Sequence, residues 1–337
     1  MKFSEEKKQS IIGYLLEKIA DQTPSLSQKA SEALGISQNT VHTYINELLD
    51  RQIIRKGKRG QYDLVTQQFT YTLYRSKGEM ESDIQVYNTC LREHVNGFSE
   101  NVEQIWSYAF TEMVNNVMDH SEAEVMRVIV EKNYLRTCVA IFDTGVGIFE
   151  KIKNHFSLPS LDAAICELFK GKLTTDEKNH SGEGIFFTSK MMDTFFIFSS
   201  KKVFTTSRDD DDTVIDLDAS LPGTCVMMSL SNFTHKKARE FFDQYANDEG
   251  AFYKTRIPLK NIFDSAPVSR SQAKRVCNRL ENFQEVVLDF EDVSWMGQGF
   301  AHQLFVVFQN QHPQMKLVPI NMNESVTNMY HHVIRSV

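Results

Sequence analysis

A chain of 337 residues exceeds what one ordinary core organises, and its length predicts two or three domains. Hydrophobic residues at 41% and charged residues at 24% are the balance of a folded, soluble chain and exclude an intrinsically disordered one. No apolar run approaches the roughly 18 residues that span a bilayer, which speaks against a membrane protein. The opening MKFSEEKKQS lacks the apolar stretch of a secretory signal. The five cysteines, Cys90, Cys138, Cys166, Cys225 and Cys277, are odd in number and scattered, so they form neither a zinc set nor a disulfide framework. Reduced thiols in the cytoplasm are the expectation. The net charge of −7 is unevenly distributed along the chain.

In residues 1–66, Ile11, Ile12, Leu15, Leu16 and Ile19 recur at helical spacing. A second helix is predicted from about Ser27 to Leu34, with Ser27 as its cap. Gly35 permits a tight turn, and Ser37 caps a third helix. Val41, Ile45 and Leu48 share one face of that helix, leaving Gln38, Asn39, His42, Thr43 and Asn46 outward. RKGKRGQYDLV then predicts a basic hairpin carrying Arg55, Lys56, Lys58 and Arg59, framed by Gly57 and Gly60. This segment resembles a winged helix-turn-helix domain of bacterial regulators. The resemblance implies DNA binding, with the polar helix front at base edges and the hairpin along phosphates. A helical protein-docking module with a solvated basic loop is the alternative.

Residues 67–232 carry three short blocks. In WSYAFTEMVNNVMDHS, Glu112 and Asn116 project from one helix face, one turn apart. An Asn oxygen can ligate a hard cation that also holds phosphate oxygens, and a carboxylate one turn away can orient or deprotonate a nucleophile. That pairing suits phosphoryl transfer. In CVAIFDTGVGI an apolar strand ends at Asp143, followed by Gly145 and Gly147; a strand-end carboxylate can accept the exocyclic amine of adenine while glycines admit the base. In NHSGEGIFFTSKMMD, Gly182 and Gly184 precede an apolar helix whose N-terminus can bind phosphate. PGTCVMMSL predicts a strand entered through Gly223 and Thr224, with Thr224 near Asp143. Taken singly, these patterns also fit a polar helix face and a tight turn.

Together the blocks resemble the N, G1 and G2 boxes of the GHKL (Bergerat-fold) ATPase superfamily, over about residues 105–230. The resemblance implies an α/β sandwich that binds ATP through Mg²⁺, with a covering segment at residues 149–180, and it suggests a homodimer. The first box is most similar to that of anti-sigma-factor serine kinases. This makes Glu112 the expected general base, Asn116 the magnesium ligand and Asp143 the adenine acceptor, with Gly145, Gly147, Gly182, Gly184 and Thr224 completing the ATP site. Ile185 and Phe186 depart from the pattern by replacing a further Leu-Gly pair. No phosphoacceptor-histidine helix pair precedes the blocks, which disfavours a sensor histidine kinase. His120 is expected to cap or pack. The acidic run at residues 208–212 predicts the solvated turn of a hairpin.

Residues 233–249 read as a connector. In residues 250–337, Ser269 caps a helix, EVVLDF is a buried strand, Gly297 and Gly299 open a second helix, and KLVPINM and VTNMYHHVI add a strand and a helix. With Leu288-Asp289-Phe290 and Gly297-Gln298-Gly299-Phe300 as signature, this stretch resembles the STAS-like domain of unknown function found with GHKL ATPases. A protein partner is implied. Gln298 and Gly299 occupy the serine positions of phosphorylatable relatives, and neither bears a hydroxyl. The expected fold is an α/β multidomain chain of winged helix, GHKL α/β sandwich and small STAS-like α/β domain. The function expected from it is a cytoplasmic, ATP-binding and slowly ATP-hydrolysing DNA-binding regulator. The alternative is a serine/threonine protein kinase in a partner-switching circuit.

Overall fold

The computed structural model describes residues 3–58, 61–172, 182–207, 213–246, 252–260 and 266–335 of a mixed α/β, multidomain chain with several sheets. Its N-terminal part consists of α1 (Glu5–Ala20), α2 (Leu26–Leu34), α3 (Gln38–Asp50) and an antiparallel hairpin of β1 (Ile54–Lys56) and β2 (Tyr62–Leu64). The Ser4 hydroxyl caps α1 and the Ser37 hydroxyl accepts the Thr40 amide at the start of α3. Ser27 is not a cap. The chain is already helical at Leu26, and Ser25, in a left-handed conformation with φ of 56°, occupies the cap position without a side-chain bond. The apolar face of α1 meets Val41, Ile45, Leu48 and also Tyr44 in a core of its own, joined by Tyr134 and Leu135 from the next part of the chain.

The middle part runs β3 (Gln67–Tyr74), α4 (Asp83–Cys90), α5 (Arg92–Val95), α6 (Glu100–His120), β4 (Val125–Lys132), β5 (Arg136–Asp143), α7 (Ile148–His155), α8 (Leu161–Lys170), α9 (Gly184–Met191), β6 (Thr194–Ser207), β7 (Thr213–Ser231) and α10 (Ala238–Tyr245). The five strands form an antiparallel sheet in the order β3-β4-β5-β7-β6. Period-two alternation turns Thr137, Val139 and Ile141 of β5 toward the core, and the same alternation carries Asp143 to that face at the strand's end. α6 buries Val102, Ile105, Trp106, Ala109, Phe110, Met113, Val114 and Val117, the 3.6-residue spacing of one face, and so leaves Glu112 and Asn116 half-buried on another.

Two expectations change here, and one segment is described in part. Thr224 does not begin a strand, because β7 continues through Pro222 and Gly223, with a register shift opposite Ser199 and Ser200. Gly184 is the first residue of α9 rather than a residue before it. The stretch expected to cover phosphates is, from Ile148 to Lys170, a pair of helices, and α8 buries Ala163, Ala164, Ile165, Cys166 and Leu168. The rest of that stretch, residues 173–180, and the acidic run 208–212 lie outside the described residues.

The C-terminal part runs β8 (Lys254–Pro258), α11 (Arg270–Cys277), β9 (Glu285–Asp289), α12 (Gln298–His302), which continues through a π-helical Gln303–Phe308 into α13 (Gln309–Gln311), then β10 (Lys316–Ile320) and α14 (Glu324–Arg335). Its sheet is parallel in the order β10-β9-β8. Central β9 is buried from Val286 to Asp289, as parallel strands are, and Pro319 sits on the edge strand β10, where a missing N–H costs least. A capping box of Ser269 and Gln272 starts α11. The core of this part is continuous with that of the middle part, whereas the N-terminal core is separate.

Separate cores predict separable unfolding. Leu16→Ala, at a side chain with no exposed surface, should destabilise the N-terminal transition by about 2–5 kcal/mol. The remaining transition should stay in place. Urea titration followed by fluorescence and circular dichroism checks this; a common shift of both transitions would contradict two cores.

Candidate functional site

The site begins at the end of β5. Asp143 pairs with Thr224 across β5 and β7, and its carboxylate accepts the backbone amides of Gly145, at 2.8 Å, and Thr224. Burial of Asp143 to 5% exposure pushes its carboxyl above the ordinary value of 3.8, and the two amide donors offset part of that rise. The Thr224 hydroxyl accepts the Ile148 amide at 3.0 Å and so fastens β7 to the first residue of α7.

Glycine is required around this carboxylate by close approach. A β-carbon on Gly145 would lie 1.8 Å from the Ser121 carbonyl oxygen, and one on Gly223, whose φ is +66°, would lie 2.1 Å from the Asp143 carbonyl oxygen. At Gly147, with φ of +85°, it would meet the Ser199 hydroxyl at 2.8 Å. The Ser199 hydroxyl donates to the Gly223 carbonyl at 2.9 Å. Backbone from three segments therefore converges where side chains have no room.

α6 forms the long wall. At its middle Glu112 lies against α9, where a β-carbon on Gly184 would stand 1.9 Å from Glu112 Oε2. At its C-terminus the Ser121 carbonyl accepts the Val146 amide at 3.0 Å, and Lys151 donates to the His120 carbonyl at 2.6 Å. Asn116 lies between these points, on a span of about 14 Å at 1.5 Å per residue. The neighbouring Asn115 turns away and donates to Asp83 at 3.1 Å. The structure thus brings Asp143, Gly145, Gly147 and Thr224 together beyond the C-terminus of α6, and Glu112 and Gly184 together at the middle of that helix. Gly182, with φ of +72°, leads into α9 two residues before Gly184.

Sequence reasoning missed several residues here. Tyr108, one turn before Glu112, is buried enough to raise its hydroxyl well above the ordinary phenol value, with the Glu112 and Glu183 carboxylates adding to the rise. Its position four residues from Glu112 was a usable signal. Ser121 and Ser199 carried none, because each contributes through its place in the fold. Among the described residues no three His, Cys, Asp or Glu side chains converge as a metal set. A hard cation here would draw on the Asn116 oxygen, phosphate oxygens and water, which suits Mg²⁺.

On the N-terminal part, Gln38, Asn39, His42 and Thr43 are exposed along α3, and Arg55, Lys56 and Lys58 are exposed on the hairpin. Arg59 lies outside the described residues. His42 shares a cleft of about 500 Å³ with Gln61 and Tyr62 beside the hairpin's turn, so the helix front and the hairpin adjoin. Arg55 faces Asp63 at 3.7 Å, a contact in solvent that constrains it little. His331 and His332 are both exposed on α14.

Comparison with known families matches one stretch. The model of the STAS-like domain of unknown function (DUF4325) matches residues 272–327. That interval reaches from α11 into α14 and includes Leu288-Asp289-Phe290 and Gly297-Gln298-Gly299-Phe300. The C-terminal part is therefore similar to a STAS-like domain, a class compatible with protein partnership. Comparison with curated proteins gives no match. No described helix is long and apolar enough to cross a membrane.

The raised Asp143 carboxyl has a signed consequence. Its stabilising contribution is complete below the unfolded-state value and is lost as pH rises through the folded-state value. The stability of the natural chain minus that of Asp143→Asn should therefore fall as pH rises above about 4, the ordinary aspartate value. Denaturant titration at a series of pH values measures the difference, and a rising or flat difference would contradict the assignment.

Proposed function

We propose that the chain is a Mg²⁺-ATP-binding and slowly ATP-hydrolysing regulator of the GHKL type, with a winged helix-turn-helix that binds DNA and a STAS-like unit that binds a protein. The observation that carries this reading is the alignment along α6 of a buried, amide-held Asp143 beyond its C-terminus and Glu112 against the α9 N-terminus at its middle. Adenine would donate its exocyclic amine to Asp143, with Gly145, Gly147 and Gly223 leaving room for the base. Asn116 would offer its oxygen to Mg²⁺. The α9 N-terminus would face phosphate, and Glu112 would orient the attacking water. The cation would neutralise charge on the transferring phosphoryl group. The remaining contribution of the chain is positioning.

Isothermal titration of the full chain with ATP and Mg²⁺ tests the reading. Binding should appear and weaken by about ten- to hundredfold in Asp143→Asn or Asn116→Ala, the scale of one hydrogen bond to a charged group. Glu112→Ala should lower hydrolysis by about 10²–10⁴-fold and leave affinity largely intact. No heat of binding in the natural chain would end the proposal, and unchanged turnover in Glu112→Ala would remove Glu112 as the base.

DNA binding is supported by the basic hairpin beside the polar front of α3. Lys56→Ala with Lys58→Ala should weaken DNA binding uniformly across sequences and lower the salt slope by about two, one for each phosphate left without its lysine. An unchanged slope in fluorescence anisotropy would favour a protein-docking role.

The match to a STAS-like domain favours a second reading, a serine/threonine kinase in a partner-switching circuit. Gln298 and Gly299 offer no hydroxyl in cis, so the acceptor would lie on another protein. Incubation with labelled ATP and candidate STAS partners separates the readings: label on protein favours the kinase, and phosphate release alone favours the regulator.

A further inference from the structure

α8 packs against α7 and α9, which open at Gly147 and Gly184, and also against β8 and α11 of the C-terminal part. The contact with α11 is built on a buried ion pair. Lys170 and Glu167, with side chains 1% and 3% exposed, meet at 2.8 Å. A lysine ammonium has three donors, and here each finds an acceptor: Glu167 Oε1, the Arg275 carbonyl at 3.1 Å and the Asn278 carbonyl. Two of these belong to the last turn and cap of α11, where a cation is favoured by the helix dipole. On the acid side, Asn278 donates its amide to Glu167 at 2.9 Å, and the Arg279 guanidinium stands 3.9 Å away. The Thr255 hydroxyl of β8 donates to the Lys170 carbonyl at 2.7 Å.

The next residue extends the attachment. Gly171 lies between rings of two different parts of the chain, since a β-carbon there would be 2.8 Å from Phe252 and 3.1 Å from Phe186 of α9. Phe186 and Phe187 continue into Tyr245 and Phe252, and Phe252 meets Phe283, with ring centroids 5.5 Å apart, at the entrance to β9. Both charges belong to α8, so drawing α8 away from α11 would break the two bonds of Lys170 to the Arg275 and Asn278 carbonyls and the bond of Asn278 to Glu167, groups that are buried and would lose their partners. α8 is therefore constrained to move with the C-terminal part while it also touches both helices that open at pocket glycines.

We propose that α8, latched to α11 by Glu167 and Lys170, transmits nucleotide occupancy of the pocket to the STAS-like unit and transmits partner binding at that unit back to the pocket. The proposal rests on the nucleotide-binding reading above and adds the route of its regulation. Coupling of this kind is reciprocal: whatever ATP does to the unit's affinity for a protein, that protein does to the affinity for ATP by the same factor.

Hydrogen exchange of the full chain, read by mass spectrometry with and without ATP and Mg²⁺, tests it. In the natural chain nucleotide should slow exchange at residues 143–147 and also, by about fivefold or more, at residues 254–258 and 270–277. In Glu167→Leu with Lys170→Met the first protection should remain and the second should vanish. Thr255→Val, which removes one hydrogen bond and keeps the pair, should reduce the distant protection only in part. Protection confined to the pocket in the natural chain, or distant protection that survives removal of the pair, would overturn the latch while leaving nucleotide binding standing. Protection nowhere would overturn the nucleotide reading and the coupling with it. Without nucleotide, α8 and α11 should share one opening free energy across denaturant concentrations; an α8 that opens independently of α11 would also refute the latch.

Discussion

A carboxylate taken out of water must be hydrogen-bonded or neutralised, and the middle of this chain is organised around meeting that demand at Asp143. Strand alternation delivers Asp143 to the helix-covered face of the sheet, where Gly145 and Thr224 supply amide donors. That geometry demands a sharp return of the chain past Ser121, which Gly145 permits, and a close passage of β7 past β5, which Gly223 permits. One buried acid thus explains why glycine is needed in two separate segments. It also leaves acceptor capacity on the carboxylate for an incoming donor.

α6 sets the scale of the site. Its apolar face is fixed by Trp106, Phe110 and Val114 in the core, so its polar face has little freedom to rotate. Tyr108, Glu112 and Asn116 succeed one another at one-turn intervals between the α9 N-terminus and the loop after β5. A nucleoside triphosphate laid along that wall would meet, in order, a hydrogen-bond acceptor, a cation ligand and a base. The arrangement asks the substrate to be extended, with opposite ends read by different segments. α8 adds a second consequence. Because it is buried against both the pocket helices and the C-terminal sheet, the two parts share a core and do not hang on a free linker.

Much of this was legible where the signal is local. Ser37 before α3, Ser269 before α11, and the apolar strand ending at Asp143 each act within a few residues, and the structure places them as read. The errors arise where distant contacts decide. A strand entered at Gly223 and Thr224 was expected, yet β7 already runs through Pro222-Gly223 because β6 pairs with it at Leu221 before that step and at Thr224 after it. The burial of the end of α8, within the stretch 149–180 read as a cover, is set by partners from residues 255–279 that no local pattern in the stretch announces. β8 shows only Thr255 and Ile257 as inward positions, too short a pattern to separate from a loop, and α10 lies in what read as a connector. Ser25, in a left-handed conformation at the end of a turn with Pro24, displaced Ser27 as the residue before the helix.

The account stands or falls on whether an adenine nucleotide lies along α6. Crystals soaked with a non-hydrolysable ATP analogue and Mg²⁺ give the most direct answer. The account predicts density with the adenine amine on the Asp143 carboxylate, the cation beside the Asn116 oxygen and the terminal phosphate at Gly184. Density at another surface, or a space between α6 and the Asp143 loop closed by packed side chains, would contradict it.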